Sequence, residues 1–220
     1  MVDVYIDTDP DAFLEGVPQN SFKKDTLNKM KYSEFLSKSA QSSMSLAFKD
    51  STLKPSLYPH ISQPSYLEEL TEPSKITIMQ SVQGVHVSPR YEHHEQLVCS
   101  IDGLVQTKLV PHVYRQEVYA GGEIKAVEDP TAPNQGQEPR LKDTCAPNES
   151  PVNFFEPDYT SYPLYNEVER KYTVILHEGD CAYIPAFYFH QFMGRPPATP
   201  TREGRKPMST IVVLEYKAHS

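Results

Sequence analysis

Residues 171–194 read KYTVILHEGDCAYIPAFYFHQFMG, and this stretch decides the fold. The apolar, β-branched run Tyr172–Leu176 predicts a strand, and the polar residues His177–Asp180 predict a tight turn after it. Cys181–Phe192 predicts a second strand that is interrupted at Pro185, because proline cannot donate a ladder hydrogen bond. Two neighbouring strands joined by a short turn are typical of an all-β barrel.

His190 is the side chain towards which both predicted strands point. It lies where an all-β barrel can present a residue at its mouth, which is a common place for a ligand site. We therefore treat His190 as the reference point for any functional site.

Length and composition predict one all-β domain. A chain of 220 residues can bury a sizeable core, and its 20 prolines and 14 tyrosines favour strands joined by stiff, irregular loops over a helical bundle. We expect an N-terminal arm with short helices over residues 1–75 and a barrel over residues 76–220. The polar, proline-containing residues 118–150 predict a long surface insertion in that barrel.

Several further elements are predicted from periodicity and turn residues. Lys23–Ser39 predicts a helix with solvated lysines, and a short helical piece follows near Tyr66–Leu70. Asp102-Gly103 predicts a hairpin turn between two paired strands. The predicted barrel strands outside residues 171–194 are Ile76–Val87, Gln96–Ile101, Leu104–Val110 and Ser209–Lys217.

Charge and targeting signals restrict the function classes. The formal net charge of −8 disfavours a nucleic-acid or anionic-membrane partner, and no apolar run approaches the ~20 residues that span a bilayer. The acidic start of the chain lacks the basic region of a signal peptide, so we expect a cytoplasmic protein. Cys99, Cys145 and Cys181 have no CxxC spacing, which predicts reduced thiols and no zinc site.

The pattern Gly-Asp-x-x-Tyr-Ile-Pro-x-x-x-x-His over Gly179–His190 resembles a segment of the JmjC-like cupins. These are cupin-8 type proteins of the iron(II) and 2-oxoglutarate hydroxylase superfamily. The resemblance covers roughly residues 76–217, with an extension to the phrase YSEFL at Tyr32–Leu36. It implies a double-stranded β-helix, which is a cupin or jelly-roll barrel.

The resemblance also implies where a metal site would lie. JmjC-like hydroxylases hold iron with two histidines and one carboxylate, and a lysine after a glycine turn binds 2-oxoglutarate. The second histidine corresponds to His190. Aligned without gaps on Asp102-Gly103, the first histidine position is Arg90, the aspartate position is Glu92 and the lysine position is Val105.

These replacements predict a degenerate site with no catalytic, cofactor-binding or metal-binding residue. Arg90 is permanently protonated and has no lone pair for a metal, while Val105 cannot pair with a carboxylate. Arg90 and Glu92 are two residues apart on one strand face, so we expect them to pair across the space that iron would occupy and to fill it.

Two alternatives remain open. Glu92, His94 and His190 form a displaced set of two histidines and one carboxylate, which would support an iron(II)- and 2-oxoglutarate-dependent protein hydroxylase or another metal-dependent oxygenase. Convergence of these three requires a bulge, because His94 lies two residues beyond Glu92 along the strand. The other alternative is a small-ligand sensor that holds an anion at Arg90.

Our preferred interpretation is a non-catalytic structural or interaction subunit of a larger assembly, with protein partners. Its predicted contact surfaces are the N-terminal arm, the 118–150 insertion and the basic loop Gly194–Lys206, because extended segments gain order by wrapping partners. A cytoskeletal or ciliary scaffold and a large enzyme complex are both compatible with this sequence.

Overall fold

The computed structural model describes residues 2–7, 27–41, 45–50, 65, 73–81, 85–122, 145–198 and 207–217. These residues form one α-helix, α1 (Tyr32–Gln41), and eleven strands. The strands are β1 (Val2–Asp7), β2 (Leu27–Met30), β3 (Ser45–Asp50), β4 (Lys75–Ser81), β5 (Val85–His86), β6 (Glu95–Asp102), β7 (Leu104–Val110), β8 (Tyr172–Leu176), β9 (Cys181–Ile184), β10 (Phe189–Arg195) and β11 (Ser209–Tyr216).

Two antiparallel sheets make up the domain. The larger has the order β2-β1-β3-β4-β11-β6-β9, and the smaller has the order β5-β10-β7-β8. The main core cluster contains residues from both sheets: Met79, Val87, Val98, Val105, Leu109, Leu176, Ala182, Ile184, Phe192, Ile211 and Val213. The prediction of an all-β jelly-roll fold is confirmed.

Strand β11 shows why its sequence, STIVVLEY, is apolar without interruption. Ile211 and Val213 belong to the main core cluster, whereas Val212 and Leu214 belong to a second cluster with Ile76. Since successive side chains of a strand point to opposite faces, β11 is buried on both faces and needs apolar residues at both parities.

The prediction of a hairpin at Asp102-Gly103 is wrong. Strands β6 and β7 flank this turn but lie in different sheets, so the chain crosses from one sheet to the other here. Gly103 has φ +86°, and a Cβ at this position would clash with the carbonyl oxygen of Arg195. The turn therefore needs glycine for its backbone conformation, as a hairpin would, although its strands do not pair.

The turn at His177–Asp180 and the interruption at Pro185 are confirmed.

The first fifty residues contribute more strand than predicted. Leu27–Met30, placed in a helix by the sequence, is β2, and α1 begins only at Tyr32. Strands β1, β2 and β3 extend the large sheet beyond β4, and Phe35 of α1 is fully buried beside Met30. The predicted helical piece near Tyr66–Leu70 lies outside the described residues.

The described ends of the 118–150 insertion are residues 118–122 and 145–150. Its middle and most of the predicted basic loop Gly194–Lys206 lie outside the described residues. In the part of the chain that is described, no helix is long and apolar enough to cross a membrane.

The prediction that all three cysteines are reduced is wrong, because Cys99 and Cys181 form a disulfide. They are opposite each other in the β6–β9 ladder, with 4.1 Å between their Cα atoms. Their separation of 82 residues gives no local sequence signal for the pair. Cys145 is free and buried, and burial, with a smaller effect of Glu149, raises the pKa of its thiol to about 12.

Candidate functional site

A cavity of about 130 Å³ lies between the two sheets, beside His190. We call it the central cavity. Strands β4, β6, β10 and β11 and the segment between β5 and β6 contribute its walls. The lining residues are Lys75, Thr77, Met79, Val87, Arg90, Glu92, Gln96, His190, Phe192, Val213 and Glu215.

Arg90 lies directly opposite His190. The backbone N–H of Arg90 donates to the carbonyl of His190 at 3.1 Å, and the N–H of His190 donates to the carbonyl of Arg90 at 2.8 Å. Opposed residues of an antiparallel pair place their side chains next to each other on one face. The position that the family resemblance gives to the first metal-binding histidine is thus a cation adjacent to His190.

The guanidinium of Arg90 is held by Glu149, a residue that the sequence did not single out. Their side chains form a hydrogen-bonded ion pair and are only 17% and 19% exposed. Glu149 is positioned by its neighbours, because Asn148 accepts a backbone hydrogen bond from Tyr91 at 2.9 Å and Ser150 donates one to Pro89 at 2.9 Å. The end of the insertion therefore supplies the carboxylate that pairs with Arg90.

Glu92 is the second carboxylate near Arg90. Its Oε1 atom lies 3.9 Å from Nη1 of Arg90, so the predicted pair forms but is looser than the pair with Glu149. The central cavity persists beside these groups, so the prediction that Arg90 and Glu92 fill the space is wrong.

His190 is a neutral, buried side chain at neutral pH. It is 2% exposed, its Nδ1 is 3.1 Å from the carbonyl oxygen of Tyr188, and its ring stacks parallel to Phe192. Burial, together with a smaller effect of the positive charge of Arg90, lowers the pKa of His190 to about 4, against the opposing effect of the Tyr188 carbonyl.

Acid is expected to destabilise the protein through His190. Its pKa is 6.5 in an unfolded chain and about 4 in the folded one, so below pH 6.5 the unfolded state binds the proton more readily. Stability from this group is complete above pH 6.5 and is lost as the pH falls towards 4, with a loss of about 2 kcal/mol at pH 5.

Urea unfolding at pH 7 and pH 5 measures this loss, and His190→Gln is the control because glutamine does not titrate. The variant should lose less stability than the natural chain over the same interval. An equal loss in both proteins would show that other groups carry the pH dependence.

The remaining predicted site residues lie away from the central cavity. Val105 is fully buried in the core on β7, and His94 is half-buried in the bend that precedes β6. Neither contributes to the cavity wall, whereas Arg90, Glu92 and His190 all do. Within the described residues, no three His, Cys, Asp or Glu side chains are grouped so that they could hold a metal ion. With Arg90 in the place of the first histidine, the described residues around His190 do not fit a two-histidine, one-carboxylate iron centre.

Two buried polar oxygens face the central cavity without a hydrogen-bond partner among the described residues. They are Oγ1 of Thr77 and Oε1 of Gln96, on side chains that are 2% and 5% exposed. Across the wall, Lys75 pairs with Glu215 at 2.9 Å. Because buried polar groups are normally satisfied, this cavity is suited to water or a small polar molecule. In the sequence, the polar residue Thr77 between the apolar residues of the strand KITIMQS was the feature that could have indicated a polar cavity here.

Comparison with known proteins gives one family. The family model described as a cupin-like domain matches residues 2–213. No curated protein matches the chain.

The chain also matches solved structures, two of which come from E. coli. A structure of ycfD from E. coli has 13% identity and a TM-score of 0.43, and a structure of the Escherichia coli ribosomal oxygenase YcfD has 12% identity and a TM-score of 0.42. Each similarity covers 100% of this chain, which spans 42% and 41% of those chains, respectively.

Proposed function

The chain belongs to the cupin-like domain family, and from this premise we propose that it is a member without iron-dependent oxygenase activity that serves as an interaction module. The described strands form the jelly-roll barrel, whereas Arg90 takes the place that the resemblance gives to a metal-binding histidine. Since a fold acquires its function only through its sites, membership of the family does not by itself imply hydroxylation.

The position of Arg90 carries this proposal. Its backbone pairs with His190 and its guanidinium is bonded to Glu149, so the place of the first metal-binding histidine is taken by a side chain held in an ion pair. Arginine has no lone pair for a metal and stays protonated at physiological pH. Movement of Arg90 out of the way would leave the mostly buried Glu149 carboxylate without its main cation, which is costly.

The interaction role concerns the surfaces of the barrel, since this proposal assigns no catalysis to its centre. We propose that protein partners in a larger assembly contact its surfaces, including the 118–150 insertion. The described residues 148–150 at the C-terminal end of that insertion are joined to the barrel by hydrogen bonds to Pro89 and Tyr91. Partner capture with and without residues 123–144 tests this role, and equal capture would argue against the insertion as a contact surface.

The metal part of the proposal predicts that the natural chain does not bind iron(II) stoichiometrically. Arg90→His, combined with Glu149→Gln so that no unpaired carboxylate remains, should create a set of two histidines with Glu92. We expect this variant to bind iron(II) at least about tenfold more tightly than the matched control Arg90→Gln with Glu149→Gln, by anaerobic titration calorimetry.

Metal in the natural chain would overturn this proposal. If purified protein carries stoichiometric metal that is lost in both Glu92→Ala and His190→Ala, the hydroxylase alternative replaces the interaction module.

The central cavity favours a second candidate function, which is binding of a small polar molecule. Oε1 of Gln96 requires a hydrogen-bond donor, and the hydroxyl of Thr77 can donate or accept. The cavity wall is not strongly cationic, because Arg90 and Lys75 both face carboxylates. Native mass spectrometry of the purified protein should then detect a bound small molecule, and the Thr77→Val variant should not bind it. A natural chain whose mass shows no bound molecule other than water would reject this candidate.

A further inference from the structure

Strand β8 is an edge strand of the smaller sheet. Among the described strands it is hydrogen-bonded to β7 alone, so the outward backbone N–H and C=O groups on its other side pair with no described strand. Two large apolar side chains on it are also exposed, Tyr172 at 45% and Ile175 at 54%. Such an edge is a template for another strand.

We propose that β8 pairs antiparallel with β8 of a second copy of this chain. The two four-stranded sheets would then join across a two-fold axis into one continuous sheet. This inference does not depend on the proposed function, because it uses only the edge of the barrel and would hold for an active or an inactive member.

The hydrogen-bond pattern restricts the register of this pairing. Alternate residues of an edge strand point their backbone groups outward, and antiparallel pairing matches an outward residue with an outward residue. In a symmetric pair of identical strands, opposed residues must therefore have the same parity. The two-fold axis then passes through a residue near the middle of β8, which leaves Thr173, Val174 or Ile175.

Val174 is the position that the side chains favour. With the axis at Val174, the apolar or uncharged residues of β8 meet each other, since Thr173 faces Ile175 and Tyr172 faces Leu176. Outside the strand, Lys171 faces the polar His177, and Arg170 and Glu178 come to the same end of the pair. With the axis at Thr173, Lys171 would face Ile175. With the axis at Ile175, Tyr172 would face Glu178. Both of these place a charge against an apolar or aromatic side chain.

Charge complementarity is the second argument for a copy of this chain as the partner. Arg170 and Glu178 are both exposed, and neither forms an ion pair with another described residue. Arg170 precedes β8, and Glu178 follows it in the turn to β9. An antiparallel copy therefore brings each of them towards the opposite charge at one end of the strand pair, and the symmetry makes this contact twice. A parallel copy would instead oppose like charges.

The expected dimer is weak. Two five-residue strands bury less than the ~1,600 Å² of a standard stable interface, so we expect a dissociation constant in the micromolar range. The dimer should therefore be visible only as concentration-dependent association.

Sedimentation velocity from about 1 µM to about 1 mM tests the proposal. Arg170→Glu should weaken the dimer at least about tenfold, since it places two carboxylates opposite each other twice. The double variant Arg170→Glu with Glu178→Arg should restore it, because the pair is re-formed with its charges exchanged. Lys217→Glu is the matched control, since it makes the same charge change beyond β11 in the other sheet.

Ile175→Lys provides a second disruptive change at an exposed position, where folding is not at risk. Circular dichroism confirms that each variant is folded. A monomer at every concentration, a dimer unaffected by both Arg170→Glu and Ile175→Lys, or a charge exchange that does not restore association would each overturn the proposal. Because none of these variants touches the central cavity, the outcome is separate from that of the metal experiment.

Discussion

Glu149→Ala is expected to lower the free energy of unfolding by about 3 kcal/mol, because it leaves the guanidinium of Arg90 largely buried without its main partner. Both side chains of the pair are less than one-fifth exposed, so water compensates poorly for the lost carboxylate. Glu92 is a weaker replacement, since its Oε1 atom lies 3.9 Å from Nη1 of Arg90 and its side chain is 31% exposed. Urea unfolding at pH 7 measures the change.

Two variants separate the cost of an unpaired charge from the value of the pair. Glu92→Ala removes the looser partner and should cost less than about 1 kcal/mol. Arg90→Met combined with Glu149→Leu removes both charges and should recover most of the stability lost in Glu149→Ala, because apolar replacement of a buried pair is often neutral. A cost below about 1 kcal/mol for Glu149→Ala would show that solvent screens the pair.

Reduction of the Cys99–Cys181 disulfide is expected to lower the free energy of unfolding by about 4 kcal/mol. The bond closes a loop of 82 residues, and chain-entropy theory gives this order of magnitude for the restriction of the unfolded state. It also joins β9 covalently to β6, which is the only described strand with which β9 pairs.

Urea unfolding with and without a reductant measures the effect of the disulfide. The double variant Cys99→Ser with Cys181→Ser should match the reduced protein and be insensitive to reductant. Cys145→Ser should retain the difference between the two conditions, because Cys145 is not in the bond. Titration of three free thiols in the native, untreated protein would contradict the disulfide.

Local patterns predicted the strands well and the contacts between distant segments poorly. Residues 171–194 predicted β8, the turn, and the break at Pro185, since each depends on neighbouring residues alone. Glu149 and Arg90 are 59 residues apart, and the two cysteines of the disulfide are 82 residues apart. Contacts over such separations produce no local sequence pattern from which they could be predicted. Asp102-Gly103 misled for a related reason: a positive φ is needed both in a hairpin and in a crossing between sheets, and the dipeptide does not distinguish them.

The sequence identified three of the residues that line the central cavity but did not identify several others. Arg90, Glu92 and His190 were named from the sequence, and the structure places all three on the central cavity. Lys75, Gln96 and Glu215 also line it, but each comes from the outer part of a strand whose apolar residues dominated the pattern. Which face such a residue takes depends on register, which the sequence leaves open.

The bridging position of Arg90 bears on how this chain can change over generations. Its backbone pairs with His190, and its side chain is tied to Glu149. Histidine at residue 90 alone would leave the Glu149 carboxylate without its main cation, and loss of Glu149 alone would leave Arg90 without its main anion. Either single change should therefore give a protein about 3 kcal/mol less stable. Since native proteins are stable by only roughly 5–15 kcal/mol, this loss would be a large part of the total free energy of unfolding. We therefore expect residues 90 and 149 to change together in this family rather than one at a time.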